Sequence, residues 1–120
     1  MKAIIYHNPR CSKSRQTLEL LRGHGVEPTV IEYLRTPPDT PTLQRLLQQF
    51  GRPARDLLRR GEAAFAALDL GTRLDDDAAL IAAIVAHPEL LERPLVVIGE
   101  RAALGRPPEA VLALLTDTAS

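Results

Sequence analysis

The chain has 120 residues, which fits one domain with a single hydrophobic core. Its 15 lysines and arginines balance its 15 aspartates and glutamates, which argues against a broad basic surface for nucleic acid or anionic membrane. The sequence has no apolar run of about 18 residues that could span a membrane, and the apolar start at residues 3–6 is too short for a signal peptide. We therefore expect a cytoplasmic protein that binds neither nucleic acid nor membrane.

The first third of the chain predicts a strand, a helix and a second strand. Residues 3–6 form a short apolar run typical of a buried strand. Residues 13–24 place Leu18 and Leu21 on one face of a helix, and residues 29–33 contain the β-branched side chains that favour a strand. This order favours two parallel strands joined by a right-handed crossover.

The middle of the chain, about residues 40–87, is predicted to be helical. Thr40 and Pro41 are typical of an N-cap followed by a first-turn proline. Leucines then follow an i, i+3, i+4 spacing until Gly51 ends the helix. Shorter helical segments are predicted to follow, around residues 57–58, 65–68 and 75–87.

The end of the chain predicts two paired strands and a closing helix. Residues 95–98 are a continuous apolar run, and a turn at Gly99 leads into residues 101–104. Pro107 and Pro108 begin the last helix, and residues 116–120 are expected to be frayed.

These elements together predict an α/β fold with a thioredoxin-like, four-stranded mixed sheet. The expected sheet core comprises about residues 1–35 and 92–116, and residues 40–87 form a helical insertion within this single domain.

Cys11 is the only cysteine in the chain, and it lies between the first predicted strand and the first predicted helix. The N–H groups and the positive dipole at a helix N-terminus stabilise a thiolate and bind tetrahedral oxyanions. Arg10, Lys13 and Arg15 add positive charge nearby. A buried apolar filler is the alternative interpretation of a lone cysteine, but the polar flanks favour a reactive thiol.

Residues 11–14 have C-x-x-S spacing, so Ser14 stands where a C-x-x-C motif has its second thiol. The chain cannot form an internal disulfide, and an external thiol must therefore resolve any adduct of Cys11. Glutathione as co-substrate, or a glutaredoxin that works with it, is the expected partner. The scattered histidines lack the paired spacing of metal ligands, so we predict no metal site and no bound cofactor.

These residues and several downstream motifs resemble the glutaredoxin-linked arsenate reductase family, and most closely its YfgD-like branch. The resemblance covers nearly the whole chain. It is carried by Tyr6–Cys11 with Ser14 and Arg15, Glu27–Pro28, Tyr33–Leu34 with Thr36–Pro37, Leu57–Arg59, Glu92–Pro94 with Val96–Val97, and Gly105–Pro108.

The resemblance implies a monomeric arsenate reductase that produces arsenite. In this family a thiolate, matched by Cys11, attacks arsenate; glutathione attacks the arsenic-bound adduct, and glutaredoxin helps to release arsenite. Three arginines that hold the oxyanion match Arg59, Arg93 and Arg106, with Arg60 as an alternative to Arg59.

The resemblance also implies that four residues support the thiolate and the loop that binds the oxyanion: His7, Asn8, Ser14 and Arg15. His7 either stabilises the thiolate by its charge or ends the strand with a hydrogen bond to the backbone. In thioredoxin-like folds a cis-proline faces the cysteine, and the X-Pro bond accepts the cis form at low cost. The Arg93–Pro94 bond is therefore predicted to be cis.

Two rival functions remain open at this point. Relatives of this fold include a transcription regulator that contacts RNA polymerase, but that branch commonly carries C-x-x-C as a redox switch. The C-x-x-S motif also permits a more general glutathione-dependent thiol reductase.

Overall fold

The computed structural model describes residues 2–116, so the tail that is predicted to be frayed lies outside the described residues apart from Thr116. The chain divides into two compact units. The first comprises residues up to 36 and those from 93 onward, and the second comprises residues 37–92. No helix within residues 2–116 is long and apolar enough to cross a bilayer.

The first unit is built on a four-stranded sheet. Its strands are β1 (Ala3–His7), β2 (Thr29–Glu32), β3 (Leu95–Ile98) and β4 (Arg101–Leu104). Their order across the sheet is β2-β1-β3-β4, with β1 parallel to β2 and the other two pairs antiparallel. This is the predicted thioredoxin-like mixed sheet.

Helix α1 (Ser12–Gly23) connects the two parallel strands, close to the predicted range. Strand β2 ends at Glu32 rather than at the predicted Tyr33. The chain turns there because the N–H groups of Arg35 and Thr36 bond to the Glu32 carbonyl at 2.9 and 3.0 Å.

A hydrophobic cluster joins α1, the sheet and the chain end. Its buried members are Ala3, Ile5, Leu21, Val96, Ile98, Val111 and Leu114. The predicted last helix is wrong at its start: Pro108–Leu112 is a 3-10 helix, and α5 (Ala113–Thr116) follows. The Ala110 N–H bonds to the Pro107 carbonyl at 3.0 Å, which is the i to i+3 spacing of a 3-10 turn.

The second unit is helical. It contains α2 (Thr40–Phe50), α3 (Ala63–Ala67) and α4 (Asp77–Ala86), with 3-10 helices at Ala54–Leu57, Leu70–Thr72 and Pro88–Leu90. The predicted N-cap of α2 is wrong by one residue. Asp39 is the N-cap because its Oδ1 accepts the Thr42 N–H at 3.0 Å, and Thr40 is already helical. Gly51 ends α2 with a left-handed φ of 71°.

The segment predicted as a helical turn at residues 57–58 is split. Leu57 ends a 3-10 helix, but Leu58 is extended and forms an antiparallel bridge with Leu91. The Arg59 N–H donates to the Leu90 carbonyl at 2.8 Å, and the Glu92 N–H donates to the Leu57 carbonyl at 2.7 Å. This short ladder fixes the backbone of Arg59 within the second unit.

Candidate active site

Cys11 is the N-cap residue of α1, as the sequence predicts for the start of this helix. Its backbone is extended, with φ −97° and ψ 123°, and its side chain is half-buried. The thiol makes no capping hydrogen bond within residues 2–116. The N–H groups of the first helical turn have no intrahelical acceptors, so they and the dipole favour negative charge at this helix end.

Hydrogen bonds within the loop before α1 hold Cys11 in place. The Cys11 N–H donates to the Asn8 carbonyl at 3.0 Å. The Asn8 side-chain Oδ1 accepts the Arg10 N–H at 3.0 Å. The Arg15 Nη1 donates to the Pro9 carbonyl at 2.8 Å. Asn8 and Arg15 therefore shape the loop around the thiol.

His7 and Ser14 form a buried pair that ties β1 to the first turn of α1. His7 is 6% exposed and Ser14 is fully buried. The His7 Nδ1 lies 2.6 Å from the Ser14 Oγ, which also accepts the Asn8 N–H at 3.0 Å. Of the two interpretations of His7, the hydrogen bond at the strand end is present, but its partner is the Ser14 side chain rather than the backbone.

Burial lowers the pKa of His7 below its usual value of 6.5, because desolvation disfavours the imidazolium. The Glu32 carboxylate acts in the opposite direction and raises this pKa, whereas Arg15 lowers it further. The neutral imidazole is therefore favoured, and it takes part in the hydrogen bond between His7 and Ser14.

The lowered pKa of His7 predicts a pH-dependent stability. The unfolded chain takes up a proton on His7 near pH 6.5, whereas the folded chain does so only at lower pH. The free energy of unfolding is therefore retained above about pH 6.5 and falls as the pH drops below it. Urea unfolding between about pH 7.5 and 5.5 should show a shallower pH slope for His7→Gln than for wild type.

Ser12→Ala is the control for this measurement, since Ser12 is exposed, does not titrate in this range and lies in the same unit. This variant should keep the wild-type slope. Equal slopes for wild type and His7→Gln would contradict the prediction.

The hairpin of β3 and β4 brings Arg93 and Arg106 together. Arg93 precedes β3 and Arg106 follows β4, and the Arg106 Nη1 donates to the Arg93 carbonyl at 3.3 Å. The Arg93–Pro94 peptide bond is cis, in agreement with the prediction, and the Arg106–Pro107 bond is also cis. The Arg93 side-chain atoms Nε and Nη1 are shielded from solvent.

Gly105 marks a close approach between this hairpin and α1. Its N–H donates to the Pro94 carbonyl at 2.9 Å. A Cβ at position 105 would lie 2.8 Å from the Pro94 Cγ and would also overlap the Thr17 Oγ1. A larger residue at this position therefore requires its neighbours to shift. The cis-proline and the second turn of α1 meet here.

Arg59 belongs to the second unit, unlike the other two predicted arginines. Its Nη1 lies 2.7 Å from the Glu62 Oε1, and its Nε lies 3.6 Å from the Glu92 Oε1. Arg60, the alternative to Arg59, is exposed. Neither glutamate was predicted as a partner of Arg59, although the i, i+3 spacing of Arg59 and Glu62 is a signal for an ion pair.

Within residues 2–116, no group of three His, Cys, Asp or Glu side chains is arranged to hold a metal ion. The candidate site residues of the first unit are a thiol at a helix N-terminus, a buried His–Ser pair and a pair of arginines beside cis-prolines.

A family comparison matches residues 6–114 to the model described as the ArsC family. The chain belongs to the ArsC family. It is 51% identical over 112 residues to the uncharacterized protein YfgD of Escherichia coli K12, covering 92% of this chain and 94% of that protein. It is 42% identical over 118 residues to an arsenate reductase of Rhizobium meliloti, covering 98% of this chain and 84% of that enzyme.

A solved structure described as an arsenate reductase from Vibrio cholerae has the same fold. It superposes with a TM-score of 0.89 at 49% identity, covering 94% of this chain and 97% of that one. The similarity to ArsC arsenate reductases in both sequence and structure supports an oxidoreductase and confirms the predicted family.

Proposed function

We propose that this ArsC-family protein is an arsenate reductase with Cys11 as its single thiolate nucleophile and glutathione as its external co-substrate. The observation that carries the proposal is the half-buried Cys11 thiol at the N-terminus of α1, where helix N–H groups favour a thiolate and an oxyanion together. Relatives named arsenate reductase support the choice of oxyanion.

The proposed reaction transfers two electrons from two thiols to arsenic. The Cys11 sulfur bonds to arsenic and displaces one arsenate oxygen, which leaves as water. Glutathione supplies the second sulfur. As arsenic(V) becomes arsenic(III), the two sulfurs form a mixed disulfide and arsenite departs. Glutaredoxin and a second glutathione then restore the Cys11 thiol, which yields oxidised glutathione.

The arginines are proposed to stabilise charge on the tetrahedral arsenic centre. A guanidinium presents a planar fork that matches two oxyanion oxygens, and such fixed charges lower the barrier when negative charge accumulates. We assign this role to Arg93, Arg106 and Arg59. Asn8, His7, Ser14 and Arg15 hold the loop. We further propose a cytoplasmic monomer without a resident metal or cofactor.

A coupled assay tests this proposal on the full chain. Arsenate is incubated with the protein, glutathione, glutaredoxin, glutathione reductase and NADPH, and arsenite is quantified directly by chromatography. We expect arsenite to form in proportion to NADPH consumed and to require glutathione. If an active arsenate reductase yields arsenite in the same assay and this protein yields none, the proposal is wrong.

A second candidate is a general glutathione-dependent thiol reductase. The C-x-x-S motif and the partly accessible thiol favour it. The relative YfgD is described as uncharacterized, so similarity to it does not favour arsenate over a disulfide substrate. A glutathionylated peptide is the substrate that separates the two functions. Turnover of this mixed disulfide without arsenite formation from arsenate would establish the second candidate.

A further inference from the structure

A groove of about 440 Å³ lies in the first unit, beside the loop that precedes Cys11. It is lined by residues 7–10 together with Glu32, Leu34 and Arg35. Its two walls are adjacent because β1 and β2 are parallel partners, with His7 opposite Glu32 in the register. We call this feature the loop groove. Its volume lies within the range of small-molecule sites.

The loop groove carries charges of both signs. Arg10 is exposed, and the Arg35 side chain is 82% exposed. The Arg35 Nη1 lies 3.8 Å from the Glu32 Oε1, and an exposed ion pair of this kind contributes little to stability. Arg35 and Glu32 can therefore give up their ion pair and bind a ligand instead at a low cost in free energy.

One apolar side chain also lines the loop groove, since Leu34 is 48% exposed. The groove thus complements a small ligand that has carboxylate and ammonium groups together with some apolar surface.

The loop groove is next to the proposed nucleophile. Arg10 is the residue before Cys11, and the Asn8 carbonyl accepts the Cys11 N–H at 3.0 Å. Since the chain has no second cysteine, the reaction partner that regenerates Cys11 must be an external thiol that approaches this loop.

We propose that the loop groove binds the external thiol reductant as a zwitterionic peptide thiol, with its C-terminal carboxylate on Arg35, its second carboxylate on Arg10 and its ammonium group on Glu32. This inference rests on the proposed function, because it takes Cys11 to react with external glutathione, and it adds where that thiol binds and which side chains hold it. Glutathione has two carboxylates and one ammonium group, which matches the charges of the groove.

A binding experiment tests the groove without any turnover. S-methylglutathione, which cannot form a disulfide, is titrated into the ¹⁵N-labelled full chain and followed by NMR. We expect amide shifts centred on Asn8, Arg10 and residues 32–35. Arg35→Ala should weaken binding about tenfold, the effect of one charge-assisted hydrogen bond, and Glu32→Gln should weaken it similarly.

Arg22→Ala is the matched control. Arg22 also forms a solvent-exposed pair, with Glu27 at 3.1 Å, in the same unit and outside the groove. This variant should bind S-methylglutathione as wild type does. Equal weakening by Arg22→Ala and Arg35→Ala, or shifts centred elsewhere, would overturn the proposal.

A ligand with its glycine carboxylate esterified refines the assignment. The ester should bind wild type about tenfold more weakly, and Arg35→Ala should cause little further loss because both changes remove the same interaction. Independent, additive losses would show that Arg35 does not contact that carboxylate.

Kinetics separate this proposal from the function on which it rests. Arg35→Ala should raise the KM for glutathione about tenfold, with kcat and the KM for arsenate unchanged. If Arg35→Ala produces arsenite with the wild-type KM for glutathione, the proposed binding of glutathione in the groove is wrong and the proposed function is not affected. Binding of S-methylglutathione in the groove without arsenite production would refute arsenate reduction alone.

Discussion

Replacement of Cys11 with serine is expected to lower arsenite production by at least about 10³-fold. A serine hydroxyl stays protonated near neutral pH and cannot form the sulfur–arsenic bond or contribute an electron to a disulfide. The chain has no other thiol to substitute for it. The measurement is direct quantification of arsenite in the coupled assay, with wild type and variant at equal concentration.

The Cys11→Ser substitution should leave the fold intact. The thiol is half-buried and makes no capping hydrogen bond within the described part of the chain, and serine is a favourable N-cap residue. Urea unfolding should therefore give a midpoint no lower than that of wild type. Ser12→Ala, at the exposed neighbouring position, is the activity control. A variant that keeps a tenth of wild-type turnover would show that another group is the nucleophile.

Leu21→Ala is expected to lower the free energy of unfolding by about 2–5 kcal/mol. Leu21 is fully buried and packs in the cluster that joins α1 to Ile5 and Val96 of the sheet. The truncation removes apolar contacts and leaves a cavity that the surrounding strands cannot fill. Urea titration of wild type and variant measures the loss.

Leu68→Ala is the matched control, since the same side chain is 40% exposed there. Its cost should remain below about 1 kcal/mol. Similar losses for both variants would contradict the assignment of Leu21 to the core. Cys11 caps α1 and Ser14 lies in its first turn. Loss of this helix would displace both, so the turnover of Leu21→Ala should fall steeply at temperatures where wild type remains folded.

Strand and helix positions in the sheet unit follow from local sequence patterns. The apolar run before His7 forms β1, and the leucine spacing over residues 13–24 forms α1 within one residue of the prediction. Element ends depended on individual hydrogen bonds instead. Asp39 rather than Thr40 caps α2 because its carboxylate accepts the Thr42 N–H, and composition does not distinguish two adjacent residues that are both good caps.

In the candidate site, too, features that depend on neighbouring residues were predictable, whereas contacts between distant residues were not. The placement of Cys11 at a helix N-terminus was predictable, because strand, loop and helix are contiguous in the chain. The contact between His7 and Ser14 depends on how β1 meets the first turn of α1. The pairing of Arg59 with Glu62 and Glu92 combines a local i, i+3 spacing with a non-local ladder.

The sequence by itself determined the parallel pairing of β1 with β2 and the presence of one cysteine at a helix start, because each depends on neighbouring residues or on a count. It also predicted that an external thiol must resolve any adduct of Cys11. Only the tertiary structure decided the neutral, hydrogen-bonded state favoured for His7, the meeting of Arg93 with Arg106 and the loop groove. These features depend on strand register and burial, which bring together residues that are distant in the chain and change the solvent around them.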